Sequence, residues 1–557
     1  MSDQQNTGRL SLKFKSGHLD IIIATCLINL FALTMPLIMM QVYDRILFNE
    51  SLNTLKWLVV GGLLALLIES IVKYIRDCIS ALLSARFEHN TECDVVSAML
   101  TSRLEVFEKE TKDNHLETLQ GISKLCRFYS GQFYQVLFDF PFAFIFLLAI
   151  YFLGGVIVLF PLTLGVVYLL TLLFLRKSFK VLTDKNQERY NLKYRYIAGL
   201  LDRIPTIKSM SMEEQLLRRY ENYQLKHAES ILEEGAYKNL PSHLGAFFSQ
   251  MAMYGTILIG GTQVIDGSMT IGALTACMLL STRAFQPIQS ASSFLYNFAT
   301  AKQYHERMDK VLSMPSEISK GAKEFPKEIQ GRIRTENLSF RWSKETDFIV
   351  SDLNLDISAN QVVGIRGGAM SGTTTLLYLL MGKLQPETGK VYIGGEDLSE
   401  VQHDKTLGKI EFLSSEPNLI TGTILENITL FNSGLHSVAK HTAHMIGLDQ
   451  MVAPLPLGYE TKVNPKSGQY LPAALVHCIC LARILVIRPR VLILDKVTMS
   501  MDKETENLFL EVIELLKSNC TIIFATNWPV FLAKCDKVYS LEGGAVQSSD
   551  FAERTGK

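Results

Sequence analysis

The sequence predicts an all-α membrane domain of six helices followed by a cytoplasmic α/β domain. Three observations carry that prediction. The first half contains six apolar stretches separated by alternately long and short connections. Basic residues collect in the long connections and avoid the short ones, as the positive-inside rule requires. Near residue 331 the pattern changes to short β-branched segments divided by helices and Gly-rich turns, the pattern of a soluble α/β domain. A chain of 557 residues exceeds one compact core, and 48% apolar against 20% charged residues fits a mixture of membrane and soluble parts.

Residues 19–42 (LDIIIATCLINLFALTMPLIMMQV) form the first span, with a kink expected at Pro36. Residues 57–75 form the second. Residues 136–154 and 155–175 follow one another so closely that they must make a tight hairpin. The last two spans, 244–265 and 271–285, are weaker because they carry Ser, Gln and Thr, and a buried soluble helix pair is the alternative there. Arg9, Lys13 and Lys15 precede the first span, and Arg176, Lys177, Lys180, Lys185, Arg189, Lys193 and Arg195 follow the fourth. These charges put both termini and both long connections in the cytoplasm. The N-terminus lacks the short apolar core and cleavage site of a secretory signal, so the first span is expected to be retained.

The long connections, roughly 73–133 and 176–241, are amphipathic and continue the membrane helices into the cytosol. Each is expected to break into a short transverse helix, near Gly121 (HLETLQGISK) and near Pro205 (DRIPTIKSMSMEEQ), suited to docking a cytoplasmic domain. The resulting division is a cytoplasmic arm over 1–18, a membrane domain over 19–300, a helical extension and linker over 301–330, and an α/β domain over 331–557. Lys plus Arg and Asp plus Glu number 55 each, which gives no charge signal for nucleic acid. Nine scattered cysteines form no CxxC pair and read as reduced, mostly structural thiols. Cys478 and Cys480, two apart on one helix, do not share a face. His18, His89, His243 and His403 lack ligand-spaced partners, so no metal site is assigned to them.

Residues 361–380 (QVVGIRGGAMSGTTTLLYLL) read as a buried strand, a Gly-rich turn and a helix. Gly367 and Gly372 have the spacing of a phosphate-binding loop, whose backbone N–H groups cradle phosphates at a helix N-terminus. Gly367, Gly368, Ala369, Met370, Ser371, Gly372, Thr373, Thr374 and Thr375 are therefore the candidate cradle. Thr373 occupies the place of the expected lysine, while Thr374 keeps the hydroxyl that would meet Mg²⁺.

Together with its neighbours this segment resembles the ABC transporters, over nearly the whole chain. RVLILDKVTMSMD (490–502) looks like the family's Walker B segment and D-loop, and SFRWS places Trp342 at the aromatic position that stacks on adenine. EPNLITGTILENI (416–428) is similar to the segment after the Q-loop, and LPLGYET (455–461) to the approach to the signature motif. HCICLARIL resembles the helix after the signature. In the membrane half, MPLIMMQVYDRIL, VLFDFPFAFIFLLAIYFLGG and GALTACMLLSTRAFQPIQ resemble the type I secretion exporters of Gram-negative bacteria, which carry protease, adhesin or RTX-type substrates. The few residues before the first span resemble the short exporters, without the peptidase-like N-terminal domain of longer ones.

The resemblance implies an exporter domain joined to a P-loop NTPase-like ABC ATPase domain, and it makes the departures specific. Carried over by position, the Walker A lysine is Thr373 and the Q-loop glutamine is Ser415. The signature LSGGQ falls on Leu471, Pro472, Ala473, Ala474 and Leu475. The Walker B glutamate is Lys496, and the switch histidine is Asn527. Asp495 survives as the Mg²⁺-associated carboxylate, with Thr374 beside it. Thr373 lacks the charge that would meet the terminal phosphates, and Lys496 puts a cation where a carboxylate would polarise water. Pro472 has neither N–H nor hydroxyl, although proline suits a first helical turn. No ordinary ATP hydrolysis is expected.

ATP with Mg²⁺ remains a candidate ligand through Trp342, the loop, Thr374 and Asp495. The alternative is an empty pocket in which Lys496 pairs with Asp495. The implied setting is the bacterial inner membrane and its lipid. The implied partners are a second exporter half, as homo- or heterodimer, a membrane-fusion protein and an outer-membrane channel. Such a subunit of a polypeptide exporter competes with a second reading, a non-transporting scaffold or regulator that kept the fold and lost the motor.

Overall fold

A computed structural model describes residues 16–108, 110–129, 133–317, 323, 325–326, 329–343, 345–368, 370–401, 408–463, 471–497 and 503–549. The basic residues of the N-terminal arm, Ala369 of the loop and residues 498–502 of the expected D-loop lie outside the described residues. The chain divides into two compact units, residues 1–100 with 110–314, and residues 101–109 with 315–557.

The first unit is helical: α1 (Ser16–Phe31), α2 (Thr34–Gln41), a π turn over Val42–Ile46, α3 (Leu47–Asn49) and α4 (Leu52–Thr101). After α5 (Leu104–Phe107), which belongs to the second unit, come α6 (Lys112–Arg127), α7 (Phe133–Gly154), α8 (Leu159–Leu201), α9 (Ile204–Met210), α10 (Glu213–Ile265) and α11 (Ile271–Leu312). The kink expected at Pro36 is a break at Ala32 and Leu33. Pro36 itself sits in the first turn of α2, where its missing N–H would have no intrahelical partner anyway. The third and fourth spans fall on α7 and α8, joined by a single 3₁₀ turn over Gly155–Val158.

Among the described residues, four helical stretches are by length and composition apolar enough to cross a membrane: 19–49, 52–101, 136–175 and 213–265. The third of these holds both spans of the hairpin. The sixth span lies in α11, which is too polar to qualify on that measure. Its polar side chains are used inside the unit. Thr256 of α10 and Ser281 of α11, both fully buried, share a hydrogen bond of 3.0 Å. Such hydroxyl pairs hold membrane helices together where lipid offers no hydrophobic drive for association. Ile150, Ile157, Cys277, Leu280 and Ala284 pack around them as an apolar core.

One expected break is misplaced. Gly121 does not interrupt α6; a Cβ there would meet the Tyr304 ring of α11 at 2.2 Å, so the glycine permits close helix packing. The break falls earlier, on either side of the four-residue α5. Within the second unit, the Arg103 N–H donates to Pro315 O (3.0 Å), and its guanidinium reaches Gln385 Oε1 (2.7 Å). The Gln385 N–H donates to Glu105 Oε1 (2.6 Å). The break near Pro205 is as expected: α9 has proline in its first turn and ends at Ser211, φ +51°.

The second unit continues with β1 (Ile333–Phe340), β2 (Val350–Leu353), β3 (Asp356–Ile357), β4 (Val362–Gly367), α12 (Thr373–Leu380), β5 (Thr388–Ile393), β6 (Glu396–Asp397) and β7 (Ile410–Leu413). Then follow β8 (Gly422–Thr423), α13 (Ile424–Thr429), α14 (His436–Met445), α15 (Leu448–Val452), β9 (Lys462–Val463) and α16 (Ala473–Ile487). The last elements are β10 (Val491–Asp495), α17 (Lys503–Leu516), β11 (Thr521–Ala525), α18 (Pro529–Leu532), β12 (Lys537–Glu542) and β13 (Ala545–Ser549).

The main sheet has the order β13-β12-β4-β11-β10-β7, parallel except for the edge strand β13. Every residue of β10 and β11 is buried, because parallel strands covered on both faces must be apolar on both. Leu492, Leu494 and Phe524 face one core with Ile479 and Phe509. Val491, Ile493, Ile523 and Ile365 face the other, with Leu376 and Leu380 of α12. A second, antiparallel sheet runs β2-β1-β5-β6, with β3 on β1. All nine cysteines are free thiols, and burial pushes those of Cys520 and Cys535 up to about 12.

Candidate functional site

The parallel order brings carboxyl ends of strands together, among them Leu413 of β7, Asp495 of β10, Ala525 of β11 and Gly367 of β4. Crevices at such ends are where open α/β sheets take ligands. The Gly-rich turn leaves β4 here and enters α12. Gly372 has φ +84°, and a Cβ on it would lie 2.2 Å from Ile349 Cγ2, so both its conformation and its packing need glycine. At Gly367 a Cβ would meet the Ser371 and Thr373 hydroxyls at 2.2 and 2.5 Å, whereas Gly368 faces open space. Met370, φ +65°, is fully exposed.

Thr373 is buried, and its Oγ1 lies 2.7 Å from Ser371 Oγ. The hydroxyl that replaces the expected lysine is therefore turned into the loop. Thr374 instead donates its hydroxyl to Asp495 Oδ2 (2.9 Å), linking the first turn of α12 to the end of β10. Thr375 is buried beneath it. Asp495 is 4% exposed, and among the described residues its Oδ1 has no hydrogen-bond partner. Burial pushes its carboxyl above the ordinary carboxylate range, opposed by the Thr374 hydroxyl and the Lys496 charge.

Lys496 is half-buried with φ +49°, and its N–H donates to Ala525 O (2.8 Å). Among the described residues it forms no ion pair; Asp495 feels its charge without salt-bridge contact. Asn527 follows β11 and pairs twice with Gly367. Its Oδ1 accepts from the Gly367 N–H (3.3 Å), and its Nδ2 donates to Gly367 O (2.8 Å). Nothing in the sequence signals this bidentate clasp, since it depends on β4 and β11 being neighbours.

Trp342 leaves β1 43% exposed, edge-on to Phe340 at 5.4 Å. Its loop closes where the Ile349 N–H donates to Phe340 O (2.9 Å), with Ile349 packed on Gly372. The aromatic loop and the Gly-rich turn therefore meet at one point. Arg341, beside Trp342, forms a bidentate pair with Glu387 (2.7 and 2.8 Å) and covers the Phe348 ring at 4.8 Å. Ser415 lies half-buried on the loop after β7. Pro472 stands at the N-cap of α16, one residue before the expected first turn, with exposed Ala473 next and Leu475 buried in the core.

These groups fit a Mg²⁺–polyphosphate ligand in chemical type. A buried carboxylate with a free oxygen lies beside a threonine hydroxyl, both hard donors. Mg²⁺ commonly takes one or two protein oxygens and completes its shell with phosphate and water. Among the described residues there is no cluster of three or more His, Cys, Asp or Glu that would make an all-protein metal site. Asp495 and Thr374 would hold the ion, which would neutralise phosphate charge at the end of the turn.

The family description "ABC transporter transmembrane region" matches residues 19–288, and "ABC transporter" matches residues 350–499. The chain is 25% identical over 543 residues to the cyclolysin secretion/processing ATP-binding protein of Bordetella pertussis, covering 96% of this chain and 75% of that one. It is 25% identical over 540 residues to the alpha-hemolysin translocation ATP-binding protein of Escherichia coli O157:H7, covering 96% and 76%. A solved bacterial Atm1-family ABC exporter with ATP bound superposes with a TM-score of 0.85 at 18% identity, over 96% of this chain and 95% of that one. That last likeness is one of fold. The chain belongs to the ABC transporters, as a multi-pass exporter half that carries the family's transmembrane region and its nucleotide-binding domain in one polypeptide.

Proposed function

We propose that the chain is a subunit of a type I secretion-like polypeptide exporter that holds Mg²⁺–ATP without splitting it. The carrying observation is the strand end of β10. Asp495 keeps its link to Thr374, while the next residue is Lys496. The first pair suits binding. The second puts a cation where hydrolysis needs a group that accepts a proton from water. Pro472 adds to the deficit, because it offers neither N–H nor hydroxyl at the start of α16. Losing one preorganised donor typically lowers a rate by about 10²–10³.

In this reading both termini are cytoplasmic, the membrane is the bacterial inner membrane, and the working assembly pairs this chain with a second exporter half. A membrane-fusion protein and an outer-membrane channel complete the route. The names of the toxin-exporting relatives support polypeptide cargo. Phosphate release by the pure full-length chain in lipid nanodiscs tests the proposal. The expected rate is at least about 10³-fold below that of an exporter with the unaltered residues. Turnover at a normal rate, lost on replacing Asp495, would overturn it.

A further inference from the structure

We infer that Lys496 is a phosphate-binding residue, supplying from the end of β10 the cationic anchor that the Gly-rich turn lacks at Thr373. The inference rests on the nucleotide-binding reading above and deepens it. The turn keeps its backbone: Gly372 holds the left-handed conformation, and Gly368 opens to space. Its side chains are another matter. Thr373 is turned onto Ser371, so the first turn of α12 offers only neutral groups to a polyanion. The acid bonded to that turn is Asp495, whose charge has the wrong sign for phosphate unless a cation stands between them.

Two cations lie close in sequence to the strand ends, and the fold separates them. Arg366 is the penultimate residue of β4. Val363 and Ile365 of that strand face the core built with α12, so alternation turns Arg366 to the opposite face, where it is exposed. Lys496 follows Asp495 directly, and Asp495 is hydrogen-bonded to the first turn of α12. The lysine backbone lies in the left-handed region, and its N–H continues the ladder to Ala525 O. A residue with a long side chain takes that conformation only under strain, and such strain gathers at ligand clamps.

Among the described residues Lys496 has no ion-pair partner to neutralise it, although it is half-buried and its charge reaches Asp495. The unpartnered Oδ1 of Asp495, itself almost wholly buried, supplies the second sign of an absent ligand. A Mg²⁺–polyphosphate answers both, with the metal on the carboxylate and phosphate oxygens on the lysine. The four-carbon stem of lysine suits this, because its ammonium can approach from a neighbouring strand end as a point charge.

The test is titration of the purified full-length chain with MgATP, read by displacement of a fluorescent ATP analogue. K496Q is expected to weaken binding at least tenfold, and K496R to stay within threefold of the wild type. Adding T373K to K496Q is expected to recover most of the loss, because a phosphate site can take its cation from either side. R366Q is expected to bind as the wild type does. K496Q binding at wild-type strength, a T373K/K496Q double variant as weak as K496Q alone, or a loss in R366Q matching that in K496Q would each overturn the inference. A wild-type chain without saturable MgATP binding at millimolar concentration would instead remove the reading beneath it.

Discussion

Two aspartates, a half-buried one in the helical unit and a buried one in the α/β unit, are used differently. Asp44 lies in the π turn after α2, with both oxygens occupied: Oδ2 accepts from the Thr270 hydroxyl and Oδ1 from the Gly272 N–H, each at 2.8 Å. It thereby ties the first membrane segment to the start of α11. Asp495 lies at the end of β10 with Oδ2 occupied, and its other oxygen is buried without a partner among the described residues. A saturated carboxylate is a structural cap. A half-saturated one is buried at a cost, which a bound cation would offset. The contrast supports the proposal that the strand ends of the α/β domain, and not the helix ties of the membrane unit, take the ligand.

The strongest way to break that contrast is D495N. An amide keeps an acceptor for Thr374 but loses the charge Mg²⁺ needs, so MgATP affinity should fall more than tenfold while the ligand-free protein is no less stable. The pH response should differ as well. Burial raises the Asp495 carboxyl, so the folded state binds its proton more tightly, and its contribution to stability grows as pH falls through the raised pKa. Asp449, held low by the Tyr459 hydroxyl and His444, contributes the opposite way: its stabilisation is present above the unfolded pKa and lost on acidification. Thermal unfolding of wild type and D495N between about pH 4 and 7 isolates the Asp495 part. A ligand-free D495N that unfolds more easily than wild type would make Asp495 a cap like Asp44.

D44A should behave as the other half of the contrast predicts. Loss of both acceptors leaves the buried Gly272 N–H without its partner, while the exposed Thr270 hydroxyl turns to solvent, and should destabilise the membrane unit by about 1–3 kcal/mol, with MgATP affinity unchanged. Thermal unfolding in detergent and the titration above read the two effects separately. The smallest change is expected for N527A, which removes the clasp on Gly367 at an exposed position. A loss of about 0.5–1.5 kcal/mol and faster amide exchange at Gly367 are expected, without loss of the fold. Amide exchange at Gly367 unaltered by N527A would leave the clasp without a role in holding the turn.

Much of the architecture was legible because burial writes itself into composition. VLILD and TIIFA could be read as central strands, since covering both faces of a parallel strand demands an unbroken apolar run. The hairpin of α7 and α8 and the short α9 were legible for similarly local reasons, apolar length and a proline at a helix start. Gly121 was misread because a glycine in an amphipathic helix marks either a break or a close approach. Only the Tyr304 ring, far along the chain, decides between them.

The candidate site divides along the same line. Which residues stand at the loop and strand ends, and that Thr373 and Lys496 change the charge there, is a property of the sequence alone, because charge belongs to residue type. Which oxygen of a carboxylate is left bare belongs to the fold. Thr270 is 226 positions from Asp44, and Thr374 is 121 positions from Asp495. A hydrogen bond is satisfied at about 3 Å, a distance that chain order over such separations does not encode and that packing alone decides.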